Sequence, residues 1–250
     1  MFLNDTNYLD QHFLVDKNVI DKFIKECNIN KNDIVVEIGA GKGVITKLIA
    51  PVSKKVIVIE KDKRLSKYLS DIENIDIIYD NVLNIDIPNC NKIITSLPYS
   101  ITEPFIYKLI DVSFDKLIMI CGFNYANNVV NKKITKLSLL SNLFFDLKII
   151  DRINPSSFDP KPRVLSALVT MEKKDINKLS YNEKVLRYLY LYRYMKIKNA
   201  LMEIFIKLDG ITKRVAKERV KELNISNDIL EKEFDEISNI ELNELFNCFM

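Results

Sequence analysis

Over most of the chain, apolar residues fall in short unbroken runs separated by polar turns; over the remainder they recur every three or four positions. Strands are predicted at Val35-Val36-Glu37-Ile38, Lys55–Ile59, Ile75–Tyr79, Lys92–Thr95 and Lys116–Cys121, because a strand covered on both faces of a parallel sheet is continuously apolar. Between them, Val19, Ile20, Phe23, Ile24 and Cys27 follow the helical period, with Asp16 placed to cap that helix. Val44–Ile49, Leu65–Ile72, Glu103–Asp111 and Thr135–Phe145 also read as helices, and Asn124–Lys133 as a polar loop. Strands alternating with helices predict an α/β fold with a mainly parallel sheet. Asp146–Asp151 and Val164–Met171 flank a short proline-rich loop and fit an antiparallel hairpin at the sheet edge. Past the polar stretch Lys173–Ser180 the pattern is helical throughout, at Tyr181–Tyr194, Met195–Leu208, Ile211–Leu223, Ile225–Phe234 and Ile240–Phe246, with Asp209-Gly210 as a helix stop. The expected organisation is one domain over residues 1–173 and a small helical domain over residues 174–250.

The first strand breaks into Gly39-Ala40-Gly41-Lys42-Gly43, and the apolar pattern then resumes as a helix. Glycine lets the backbone turn sharply and approach a ligand closely, so strand, glycine turn and helix read as a binding loop. The next strand ends in Glu60, an acid placed to bond the two hydroxyls of a ribose. A nucleoside-containing ligand follows. The glycine spacing differs from the dinucleotide fingerprint, and Glu37 just before the loop favours S-adenosylmethionine over NAD. The third strand ends in Asp80-Asn81, where a polar pair can bond an adenine edge or simply terminate the strand.

Ser96-Leu97-Pro98-Tyr99 ends the fourth strand with a short side-chain acceptor, a stiff backbone carbonyl and a ring. An exocyclic amine on an aromatic base is a poor nucleophile because its lone pair is conjugated into the ring. Two acceptors aimed at its hydrogens favour the pyramidal amine that attacks a methyl group, so that positioning and electrostatics replace a general base. In the loop Asn154–Pro162, Phe158 stands between prolines and suits either base stacking or packing within the loop, while Phe13 and Leu14 read as anchors covering the sheet.

Composition narrows the chemistry. With 48% apolar and 28% charged residues and only 5 Gly and 7 Pro, the chain suits a globular protein and not a disordered or collagen-like one. No apolar run reaches the length of a membrane span, and Met1 to Asp10 is polar and acidic without a signal-peptide pattern, so a cytoplasmic protein is expected. Cys27, Cys90, Cys121 and Cys248 are scattered and His12 is the single histidine, which argues against a metal site and against histidine acid–base chemistry. Net charge is only +3, yet Arg187–Glu222 carries ten Lys and Arg against four Asp and Glu. Lys213, Arg214 and Lys217 in that stretch are candidate phosphate contacts, or else part of a solvated face.

Taken together, these segments resemble the KsgA/Dim/Erm family of S-adenosylmethionine-dependent rRNA adenine N6-dimethyltransferases, its archaeal members most of all. Gln11-His12-Phe13-Leu14-Val15-Asp16 is similar to the family's Gln-x-Phe-Leu-x-Asp, Glu37 to Gly43 to its glycine loop, and Glu60-Lys61-Asp62 to its ribose segment. Ser96-Leu97-Pro98-Tyr99 resembles its Asn-Leu-Pro-Tyr motif, and Pro155 to Pro162 with Val164 to Ala167 its target-base loop. The resemblance implies a Rossmann-like methyltransferase sheet with a helical C-terminal domain, acting on RNA, rRNA or a ribosomal subunit precursor. It implies cofactor contacts at Gln11, Phe13, Leu14, Glu37, Gly39, Gly41, Gly43, Glu60, Asn81 and Ser96, and catalytic roles for Ser96, Leu97, Pro98, Tyr99 and Phe158. Departures fall at Ser96, where the family has Asn, and at Asn81, where it has Asp after a Gly that is Asp80 here. A divergent paralogue serving as an RNA-binding or ribosome-assembly factor, or one methylating another acceptor, is the alternative expectation. The oligomeric state is left open.

Overall fold

The computed structural model describes residues 11–133 and 135–249, so Met1 to Asp10 lies outside the described residues. In chain order the elements are β1 (Phe13–Leu14), α1 (Lys17–Cys27), β2 (Ile34–Ile38), α2 (Thr46–Ile49), β3 (Lys55–Ile59), α3 (Ser66–Leu69), β4 (Ile75–Ile78) and β5 (Lys92–Ser96). Next come α4 (Thr102–Leu109), β6 (Lys116–Gly122), α5 (Phe123–Val130), α6 (Lys136–Phe144), β7 (Phe145–Ile153), β8 (Phe158–Asp159) and β9 (Ser166–Lys173). The last helices are α7 (Tyr181–Leu191), α8 (Ile197–Asp209), α9 (Lys213–Glu222), α10 (Asn227–Leu230) and α11 (Asn239–Asn247). None of the described helices is long and apolar enough to cross a membrane.

Seven strands form one sheet in the order β4-β3-β2-β5-β6-β9-β7. The first five of these run parallel, and β9 enters antiparallel beside β6. The chain leaves β2 towards β3 on one side and returns through β5 on the other, which makes the gap between β2 and β5 a topological switch point, where open α/β sheets bind ligands. The apolar runs explain the sheet: Val35, Val36, Val56, Val58, Ile93, Ile94, Leu117 and Ile118 are fully buried. Helix α1 turns Val19, Ile20, Phe23 and Cys27 inward, its start capped by Asp16 accepting from the Asn18 N–H and its end closed by Asn28 in the left-handed region.

The chain divides into two compact units. One holds the described residues up to Asn131 together with Asp146–Lys173; the other holds Lys132–Phe145 and the residues from Lys174 onward. By chain order α6 falls in the first domain expected over residues 1–173. In the structure its apolar face packs within the second unit, where Phe144 meets the Tyr190 ring edge-on at 5.6 Å and takes the Arg187 guanidinium over its own ring at 4.6 Å.

Other differences have simple causes. The run expected as a polar loop is helix α5, because Ala126 and Val129 are buried three positions apart beneath an asparagine-rich outer face. The helix expected over Leu65–Ile72 is a tight turn at Lys63–Leu65 followed by the single helical turn α3. Likewise Ile225–Phe234 splits into α10 and a tight turn at Phe234–Glu236. The proline-rich loop contains β8, which pairs antiparallel with β1 so that Leu14 faces Phe158.

Candidate active site

Register brings the strand ends level: Ile38 pairs with Ile59 and Thr95, and Ile59 with Ile78. The residues that follow, Gly39, Glu60, Tyr79 and Ser96, therefore emerge in one row. A cavity of about 310 Å³ lies at this row. Its walls include Gln11, Phe13, Gly39, Gly41, Glu60, Asn81, Ser96, Leu97, Pro98, Tyr99 and Phe158. A smaller cavity of about 60 Å³ shares His12, Phe13, Gly39, Gly41 and Ser96 with it and adds Leu14, Glu37 and Lys42. Gly43 lines neither. A side chain there would press on Ile72 Cδ1 and Leu69 Cδ2 at 3.0 Å, so this glycine serves close packing of the loop.

Glu60 organises the glycine loop. Its Oε2 accepts from the Gly41 N–H and its Oε1 from the Asp62 N–H, both at 2.9 Å. Each carboxylate oxygen has a further lone pair to offer a hydroxyl. Asp62 accepts from Arg64 Nε and Nη2 at 2.9 Å and from Gln11 Nε2 at 3.2 Å, and the Arg64 side chain holds its carboxyl below the usual range. Gln11 thus reaches the site through Asp62. Asn81 Oδ1 accepts from the Leu83 N–H at 3.1 Å, while the neighbouring exposed Asp80 also lines the larger cavity and supplies a carboxylate there.

Glu37 lies at the end of β2, 4% exposed, and its Oε2 has no hydrogen-bond partner. Burial pushes its carboxyl up to about 7; Thr46 beside it pulls downward and the charge of Glu60 adds to the rise. A buried carboxylate with an unpartnered oxygen is costly unless a cation arrives.

Ser96 ends β5 half-buried and lines both cavities. Leu97 is buried, and Pro98 holds an extended backbone, φ −52° and ψ 138°. The Tyr99 hydroxyl is hydrogen-bonded to Oγ of the fully buried Ser166, and its ring stacks near His12, centroids 6.5 Å apart and planes 25° apart. His12 Nδ1 lies 2.8 Å from the Pro160 carbonyl, so it carries the hydrogen. His12 therefore belongs to the site, although its only signal in the sequence is its place between Gln11 and Phe13.

Phe158 lies in a short strand and not in a free loop. It is 3% exposed, pairs with Leu14 and joins the core cluster, so it forms a wall of the larger cavity from within a strand. Burial of this aromatic succeeds because β1 gives its backbone hydrogen-bond partners. Lys213, Arg214 and Lys217 are exposed on α9 and line neither cavity.

The family model described as ribosomal RNA adenine dimethylase matches residues 3–241. A protein of Methanococcus maripaludis named "Probable ribosomal RNA small subunit methyltransferase A" is 33% identical over 96% of this chain and 100% of its own length. A protein of the same name from Methanosphaera stadtmanae is 33% identical over 96% of this chain and 92% of its own. In fold, the chain is similar to a dimethyladenosine transferase from Plasmodium falciparum, with a TM-score of 0.67 at 22% identity over 94% of this chain and 96% of that one.

Proposed function

This chain belongs to the ribosomal RNA adenine dimethylase family, and from that premise we propose that it methylates the N6 amine of an adenine in ribosomal RNA, using S-adenosylmethionine. The observation that carries the reading is Ser96 on the wall shared by the two cavities. The residues fit the cofactor. Gly39 and Gly41 leave a cradle that side chains would fill, Glu60 offers lone pairs to ribose hydroxyls, and the unpartnered Glu37 oxygen suits an ammonium. Asp80 and Asn81 supply the polar edge for adenine.

S-adenosylmethionine, when bound, supplies an electrophilic methyl group. Ser96 Oγ and the Leu97 carbonyl accept hydrogens from the target amine and turn its lone pair out of conjugation. Tyr99, anchored through Ser166, gives the base a ring to stack on. Stacking contributes about 1–3 kcal/mol per base. Tritium-labelled methyl transfer to small-subunit rRNA, followed by nucleoside analysis for N6-methylated adenosines, tests the reading; labelling confined to another base or to protein would sink it.

Glu37 makes cofactor affinity pH-dependent. The ammonium of the cofactor favours the ionised carboxylate, whereas the unliganded protein holds the proton up to about pH 7. Affinity then falls about tenfold for each pH unit below 7. For the unliganded fold the sign is opposite: a carboxyl raised from 4.5 to about 7 contributes stability that is fully present below 4.5 and is lost as pH rises through 7. Calorimetry and thermal unfolding from pH 5 to 8 should give these opposed slopes in wild type and neither in Glu37→Gln. Affinity that is level across that range in wild type would exclude the role.

The exposed face of α9 is the proposed phosphate contact. Lys213 and Lys217 stand four positions apart on one face and Arg214 one step round the helix, with Ala216 and Val220 turned inward. Affinity for rRNA fragments should fall steeply with salt, and charge reversal at the three positions should flatten the logarithmic slope by about two to three units. An unchanged slope would return this helix to an ordinary solvated face.

A further inference from the structure

We propose that Lys42 is a carboxylate receptor that makes the smaller cavity select a complete α-amino acid end on the cofactor. This rests on the cofactor reading above and extends it to a residue with no assigned role.

The argument begins with the charge pattern of the cavity. Its walls are mostly apolar, among them Leu14, Phe23, Ile94 and Ile120, and apart from His12 its ionisable side chains are Glu37 and Lys42 alone. Glu37 is buried with one oxygen unpartnered, whereas Lys42 is exposed on the glycine loop. A zwitterion with one ammonium and one carboxylate matches such a space: the buried anion suits the ammonium, and the cation at the exposed wall suits the carboxylate. At about 60 Å³ the space is too small for a nucleoside, which the adjoining cavity of about 310 Å³ accommodates.

The resting place of Lys42 supports the assignment. Its Nζ lies 4.5 Å from the centroid of the Phe13 ring, and Phe13 lines both cavities. The ring sits so close to the loop that a Cβ on Gly41 would meet it at 3.2 Å. No carboxylate among the described residues forms an ion pair with Lys42. An exposed cation on an aromatic face is held weakly, and a charge-assisted hydrogen bond to a carboxylate is a stronger partner. The ammonium is thus parked at the wall of the cavity, and a ligand carboxylate draws it off the ring.

The test compares three ligands by calorimetry: S-adenosylhomocysteine, its decarboxylated counterpart, and methylthioadenosine, which lacks the amino-acid end. Wild type should bind S-adenosylhomocysteine about tenfold more tightly than the decarboxylated form, with the gap shrinking in high salt because Lys42 is exposed. Lys42→Met should close the gap, Lys42→Arg should keep it, and methylthioadenosine should bind wild type and Lys42→Met alike. A gap that persists in Lys42→Met, or an equal loss for all three ligands, overturns the proposal. Wild type that binds all three without a gap overturns it while leaving the cofactor reading intact; wild type that binds none removes both.

Discussion

Gly41→Arg is expected to abolish cofactor binding, a loss of more than about 100-fold in affinity by calorimetry, or about 2.7 kcal/mol, without unfolding the protein. Gly41 has φ +59°, a region where a residue with a Cβ is disfavoured by about 1–2 kcal/mol. Its missing side chain is also what admits the Phe13 ring, which a Cβ would meet at 3.2 Å. An arginine chain beginning there must either displace Phe13 or fill space lined by both cavities. The Gly41 N–H also donates to Glu60, so any movement of the loop misplaces the acid proposed for the ribose. Gly43 is the control: it too has a positive φ, yet its neighbours are Ile72 and Leu69, not the cavities. Gly43→Ala should lower the melting temperature while affinity at low temperature stays within a few-fold of wild type. If Gly41→Arg binds S-adenosylhomocysteine as wild type does, the loop is a structural turn and the cofactor lies elsewhere.

The contrast between these glycines marks how far the sequence could be read. Continuous apolar runs predicted the parallel strands because parallel strands have no solvent face, and the register of those strands then placed Gly39, Glu60 and Ser96 in one row. What periodicity could not reveal was contact between distant segments. Two residues are too short a run to show alternation, so β1 and β8 read as an anchor and a loop, and only the β1 ladder decides that Phe158 packs. His12 looked chemically idle because a single histidine suggests no cluster, yet its bond to Pro160 and its stack on Tyr99 are made across the fold. Chain order alone places helix α6 in the first domain, whereas its burial follows from partners far along the sequence, such as Tyr190. Glu37 is legible as a candidate cofactor contact by its position; its raised titration is not, since that depends on burial.

Ser96→Ala is expected to lower turnover by about 10²-fold with cofactor affinity unchanged, by analogy with removal of one preorganised group that acts chiefly in the transition state. Ser96 lies at the wall shared by the two cavities, and the backbone on either side is fixed independently of its hydroxyl: Thr95 Oγ1 donates to the Ile38 carbonyl at 2.9 Å, and Leu97 is buried. Deleting one oxygen therefore removes an acceptor without moving the Leu97 carbonyl or Tyr99. In kinetic terms kcat and kcat/KM should fall together, which distinguishes a group used in the transition state from one used in ground-state binding. Ser96→Asn is the sharper variant because it supplies the longer carbonyl arm of the family motif. If the cavity can seat that arm, turnover should match or exceed wild type, and the ratio of singly to doubly methylated adenosine should change with it, since a longer acceptor sits nearer a substituted amine. Each protein would be followed by labelled methyl transfer to small-subunit rRNA, immature subunits and total RNA, alongside calorimetry with S-adenosylhomocysteine. Wild type and Ser96→Asn that both bind the cofactor yet label no RNA would defeat the methyltransferase reading; the same fold would then be acting as an RNA-binding member of its family. Activity that survives undiminished in Ser96→Ala would instead leave the chemistry to the Leu97 carbonyl and reduce Ser96 to a wall of the cavity.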